Sequence, residues 1–172
     1  MALLEHGGGV SLAARELGLS PEEILDFSAS INPLGIPPGV LAAARESLGA
    51  ARHYPEIDGA SLVDALAGFH GLPAAHLLAG SGSTELIYLL PRVLRPRRAL
   101  LVTPSFSEYR RSLDQAGTAV DLFPLRPEEG FFLDPARLLR SVAADTDLVL
   151  LANPGNPSGV GIDPETIDPA KA

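Results

Sequence analysis

The sequence predicts an α/β protein: a mostly parallel sheet with flanking helices. Three observations carry this. Short apolar runs alternate with stretches of helical spacing along the second half of the chain. Several helical stretches stop at a glycine, as at Gly49, Gly71 and Gly117. The apolar runs feed turns rich in Gly, Pro, Ser and Asn, the edge at which open α/β sheets place ligands. Strands separated by helices mean βαβ units with right-handed crossovers.

The elements follow in order. Residues 1–38 form an arm dense in Gly and Pro, with a short helix at Ser11–Leu17 closed by Gly18. Ser20-Pro21-Glu22-Glu23 is a helix start, with Ser as cap and Pro at the first position. Residues 39–75 are a helical segment: Val40–Leu48, an extended point at His53-Tyr54-Pro55, then Ser61–His70. Residues 76–172 alternate. Leu77–Ala79 reads as a strand and a helix runs from near Ser83 to Leu94. Ala99–Val102 is a strand, Ser105–Ala116 a helix and Ala119–Phe123 a strand. Pro135–Ala143 is a helix capped by Asp134. Asp147–Ala152 is a strand, and another helix begins near Pro164. About four strands make an unfinished sheet, with an uncovered edge.

Composition bounds the function. At 172 residues, 46% hydrophobic and 20% charged, the chain can bury a core. It has no cysteine, so neither disulfides nor thiolate metal sites, and a cytoplasmic location is the default expectation. No run of apolar residues is long enough to span a membrane, and the start lacks a secretory signal. With a net charge of −8 the chain is no nucleic-acid binder. Its one basic cluster, Arg92, Arg95, Arg97 and Arg98, reads as a solvated face at a helix C-terminus.

Three turns carry candidate chemistry. Gly80-Ser81-Gly82-Ser83-Thr84-Glu85 opens a helix, whose first-turn amides lack intrahelical partners and sit at the positive end of the dipole. A phosphate fits there. The third Gly of a dinucleotide fingerprint is Glu85 here, and the Gly-Lys pair of a P-loop is missing, so a single phosphate suits the site better than a pyrophosphate. Tyr109, in Pro104-Ser105-Phe106-Ser107-Glu108-Tyr109, is a candidate to stack on a flat heteroaromatic ring. Phe106 is the core-packing alternative. In Asn153-Pro154-Gly155-Asn156-Pro157-Ser158-Gly159 the prolines stiffen the turn and hold Asn156 extended, its amide free to meet a ligand.

That last segment resembles the Asn-Pro-Asn-Asn-Pro-Thr-Gly signature of pyridoxal-phosphate enzymes of the aspartate-aminotransferase fold, with Gly155 for Asn and Ser158 for Thr. His6-Gly7-Gly8, the string Asp26 to Gly35, Tyr54-Pro55, Ser83 to Tyr88 and Phe106 to Tyr109 narrow it. Together they resemble the L-threonine-O-3-phosphate decarboxylases, close to the histidinol-phosphate aminotransferases. The resemblance implies pyridoxal 5'-phosphate as cofactor, held by Gly82, Ser83 and Thr84 at its phosphate. It implies Tyr109 on the ring and Asn156 on the phenolic oxygen, near the substrate. Tyr54 would reach the phosphate across a homodimer interface. His6, Gly7 and Asn32 would close over a phosphorylated amino-acid substrate.

The resemblance also implies an N-terminal half only, with an incomplete large domain. The Schiff-base lysine, the carboxylate on the ring nitrogen and the substrate-gripping arginines follow the Asn-Pro signature in the family. The chain's single lysine, Lys171, is too close to that signature and is assigned no role. The expectation is therefore a decarboxylase half that is inactive alone, with aminotransfer as the alternative reaction. A non-catalytic binding or dimerisation fragment is the alternative of another class.

Overall fold

The structure is a computed structural model and describes residues 7–163 and 166. The chain forms two units, Met1–Gly59 and Ala60–Ala172. In the first, helix α1 (Val10–Leu17) ends at Gly18. The predicted helix start at Ser20 makes only a single 3-10 turn, Pro21–Glu23. It does so with a complete capping box: the Ser20 amide donates to Glu23 Oε2 at 2.8 Å. Pro37 caps helix α2 (Pro38–Ser47) and Pro38 is its first residue, and a 3-10 stretch continues it to Arg52. Apart from the turn at Pro21–Glu23, the chain between α1 and α2 is irregular, in keeping with its density of Gly and Pro.

The second unit opens with helix α3 (Ala60–His70) and a 3-10 turn at Ala74–His76. Leu77–Ala79 is not a strand. It pairs with no neighbour in the sheet, and Leu78 is 62% exposed. Extended backbone becomes a strand only when a ladder satisfies it. Helix α4 (Ser83–Leu94) follows, starting and ending where the sequence places it.

The sheet has three strands among the described residues: β1 (Arg98–Thr103), β2 (Ala119–Pro124) and β3 (Leu148–Leu150). Their order is β2-β1-β3 and both pairings are parallel, with Leu101 opposite Leu122 on one side and Leu150 on the other. The expected fourth strand is Leu77–Ala79, already accounted for. The helix expected near Pro164 lies outside the described residues.

β1 is central, so all of Ala99, Leu100, Leu101 and Val102 are buried. Side chains alternate across the pleat. Leu100 and Val102 join Phe123, Leu133 and Leu138 in the core on one face. Helix α5 (Ser107–Gln115) connects β1 to β2 and buries Leu113 completely. Helix α6 (Pro135–Ser141) connects β2 to β3. Its cap Asp134 accepts hydrogen bonds from the amides of Ala136 (2.9 Å) and Arg137 (3.2 Å).

Candidate functional site at the carboxyl rim of the sheet

Because β1, β2 and β3 run parallel, the turns that follow them leave at one rim. The Leu125 amide extends the β1–β2 ladder by donating to the Thr103 carbonyl at 2.7 Å. Pro104, Leu125, Ala152, Gly155 and Ser158 then line one small cavity, so the turns after all three strands meet.

The turn after β3 is held by its own side chains. Asn153 accepts from the Ile162 amide at 2.9 Å and donates Nδ2 to the Ile162 carbonyl at 2.7 Å. The Gly155 amide donates to the Val160 carbonyl at 2.8 Å, and the Ser158 hydroxyl accepts from the Val160 amide at 3.3 Å. Both Asn-Pro bonds are cis. The exposed carboxamide of Asn156 has no hydrogen-bond partner among the described residues. The two asparagines of the motif therefore differ. Asn153 fastens the turn; Asn156 is left with a free donor and acceptor.

Helix α4 precedes β1 and joins it through Arg95–Arg97, so its C-terminus lies at the sheet's amino edge and its N-terminus points to the carboxyl rim. Tyr88 fixes the alignment: its hydroxyl donates to Glu108 Oε2 at 2.6 Å, in the first turn of α5. From Tyr88 back to Ser83 is about 7.5 Å of helix. Gly82 caps α4 with φ +83°, a left-handed conformation that L side chains avoid. Ser83 and Thr84 are exposed, and their hydroxyls have no partner among the described residues. Glu85 accepts a hydrogen bond from the Ser81 amide, so the residue at the missing third-Gly position fastens the loop.

Tyr109 is half-buried on the first turn of α5, edge-on to Phe106 with ring centroids 6.0 Å apart. The Phe106 ring is half-buried too, so burial does not separate the two aromatics. The Tyr109 hydroxyl has no partner among the described residues. Glu108, 8% exposed, also accepts from Arg111 Nη1 at 3.0 Å. The Glu108 hydrogen bond, aided by burial and the carboxylate's charge, holds the Tyr88 phenol above its ordinary pKa. Sequence reasoning did not single out Tyr88, Glu108 or Asn153. The first two lie twenty residues apart, and no periodicity pairs them.

The arm residues belong to the first unit. Gly7 packs against the chain at Ser28 so closely that a Cβ would fall 1.7 Å from the Ser28 carbonyl oxygen. The Gly8 amide donates to Ser28 Oγ at 2.9 Å, and Ser28 in turn bonds Asp26. Two strings noticed separately in the sequence thus meet. Asn32 spends its carboxamide locally: Nδ2 donates to the Gly35 carbonyl and Oδ1 accepts from the Leu34 amide. Tyr54 is fully exposed. His6 and Lys171 lie outside the described residues.

Residues 22–170 match the family model for aminotransferase class I and II. The chain belongs to this family. Aminotransferases of classes I and II depend on pyridoxal 5'-phosphate. The chain is 44% identical to threonine-phosphate decarboxylase of Salmonella typhimurium over 90% of its own length and 42% of that protein's. It is 31% identical to histidinol-phosphate aminotransferase of Methanosarcina mazei, over 89% of this chain and 42% of that one. Among solved structures, L-threonine-O-3-phosphate decarboxylase from Porphyromonas gingivalis superposes with a TM-score of 0.70 at 27% identity, covering 84% of this chain and 42% of that one. The fold is therefore the expected one: a partial aminotransferase-type fold, a parallel sheet with flanking helices. The chain spans less than half the length of these relatives.

The residues at the rim fit the family's cofactor. Unpaired first-turn amides and two free hydroxyls suit a monophosphate, and a half-buried phenol ring suits a flat pyridine. A carboxamide without a partner suits a ring oxygen. Among the described residues no helix is long and apolar enough to cross a membrane, and no cluster of His, Asp and Glu could hold a metal.

Proposed function

We propose that this chain is the N-terminal part of an enzyme that decarboxylates L-threonine O-3-phosphate to aminopropanol phosphate, with pyridoxal 5'-phosphate as cofactor. The observation that carries the reading is the 44% identity to the Salmonella typhimurium decarboxylase across nine tenths of this chain. Identity to the Methanosarcina mazei aminotransferase is 31% over a similar span, which keeps amino transfer as the second reading.

The cofactor, when bound, supplies a conjugated ring that takes up the electron pair released at the substrate's α-carbon. The chain's own residues bind and orient it. The amides and hydroxyls around Gly82, Ser83 and Thr84 hold its phosphate, the Gly82 amide only on release from the Gly80 carbonyl to which it donates at 2.8 Å, and Tyr109 lies on the ring. Asn156 donates its amide to the phenolic oxygen and borders the substrate. In a homodimer, Tyr54 donates its hydroxyl to the partner's cofactor phosphate, and its full exposure is compatible with that reach. His6, Gly7 and Asn32 close over the phosphorylated amino acid. For Asn32 this requires release of its local turn, because both ends of its carboxamide are already bonded. The lysine that carries the cofactor is not in this chain, Lys171 has no catalytic role, and the chain alone is inactive. The enzyme acts in the cytoplasm.

The test is an assay of the gene product that contains this chain. CO2 release from L-threonine O-3-phosphate, without amino transfer from histidinol phosphate, supports the reading. Amino transfer without CO2 release assigns the second one. If neither occurs, the chain is a binding or dimerisation fragment.

A further inference from the structure

The aromatic platform and the anion-binding helix end belong to different helices, and a side-chain hydrogen bond ties the second turn of α4 to the first turn of α5. Tyr88 Oη donates to Glu108 Oε2 at 2.6 Å, from the second turn of α4 to the first turn of α5. Glu108 is 8% exposed and immediately precedes Tyr109. Its other oxygen accepts from Arg111, one turn along the same helix, at 3.0 Å. The carboxylate is thus gripped from both sides. Successive helical residues stand about 100° apart around the axis, so fixing the azimuth of Glu108 fixes that of Tyr109.

We propose that Tyr88 is a positioning residue: through Glu108 it sets the rotation of α5's first turn against α4 and holds the Tyr109 ring in register with the Ser83–Thr84 end of α4. The proposal rests on the reading that Tyr109 and the start of α4 hold one cofactor. Tyr88 itself touches neither cofactor nor substrate. Its phenol is engaged with Glu108, while the Tyr109 hydroxyl has no partner among the described residues. A ring not anchored through its own hydroxyl depends on its backbone for orientation, and the Tyr88–Glu108 bond supplies that.

The chain has three tyrosines, Tyr54, Tyr88 and Tyr109, and no tryptophan, so ring-labelled tyrosine gives a spectrum with three assignable sets of signals. Tyr88→Phe should displace or broaden the Tyr109 ring signals and leave those of Tyr54, in the other unit, in place. Glu108→Ala should do the same. Glu108→Gln keeps an acceptor for the phenol and should restore the Tyr109 signals toward wild type. Titration with pyridoxal 5'-phosphate should shift the Tyr109 ring, and Tyr88→Phe should need about threefold more cofactor for the same shift. A Tyr109 signal untouched by both Tyr88→Phe and Glu108→Ala overturns the proposal. So does outright unfolding of both variants, which assigns the pair to stability alone. If the variants move the Tyr109 ring but cofactor never does, the coupling stands and the cofactor reading fails.

Discussion

Asn153 grips Ile162 from both ends of its carboxamide, at 2.7 and 2.9 Å, closing a nine-residue span over the carboxyl rim of the sheet. Asn156, three residues on, has no such grip. The two asparagines should therefore fail differently. Asn153→Ala should lower stability by about 1 kcal/mol, the scale of net hydrogen-bond contributions at a partly solvated site. Asn156→Ala should leave the urea midpoint unchanged and weaken cofactor binding. Paired urea melts and cofactor titrations on the two variants check this. Equal loss of stability would mean that Asn156 is a structural residue too.

The Tyr88–Glu108 bond should be visible in a tyrosine titration. The hydrogen bond raises the folded-state pKa of Tyr88 above its unfolded value. Its contribution to stability is thus fully present below the ordinary tyrosine pKa of about 10 and is lost as pH rises through the raised value. Phenolate absorbance should show a late ionisation step above the ordinary tyrosine range, and Tyr88→Phe should abolish it.

The centre of the fold is β1, where Leu101 is only 1% exposed. Leu101→Ala should cost about 2–5 kcal/mol, the range for large-to-small changes in a packed interior. Leu122, opposite Leu101 on the edge strand, is 54% exposed, so Leu122→Ala should cost well under half as much. Chemical denaturation of the two variants measures the contrast.

Asp134 accepts from two first-turn amides of α6, a short helix that carries the buried Leu138. Asp134→Ala should cost about 0.5–2 kcal/mol, and Asp134→Asn less, because the amide oxygen still caps. Thermal melts of both variants test the ranking.

Elements that local chemistry specifies were legible in the sequence. Asp134 followed by Pro135 announces α6, and Gly82 followed by a hydroxyl pair announces α4 at its actual first residue. The central strand was legible because it is apolar without interruption, as strands buried on both faces are. What depends on distant partners was not. Leu77–Ala79 has the composition of a strand but no ladder to join. The Ser20 start has every capping residue yet makes one 3-10 turn, since no apolar stripe follows to be buried. In the candidate site, the residue types were readable from the turns. The clasp of Gly7 and Gly8 on Ser28, the Asn153 fastening and the Tyr88–Glu108 link are contacts between segments, and no local pattern encodes them.

One measurement tests the central claim most directly: amide and side-chain resonances followed while pyridoxal 5'-phosphate is added. Convergence on one flat, monophosphorylated molecule predicts that the amides of Ser83 and Thr84, the Tyr109 ring and the Asn156 carboxamide all shift along a single saturation curve. Separate curves for the three segments, or shifts confined to one of them, would contradict it.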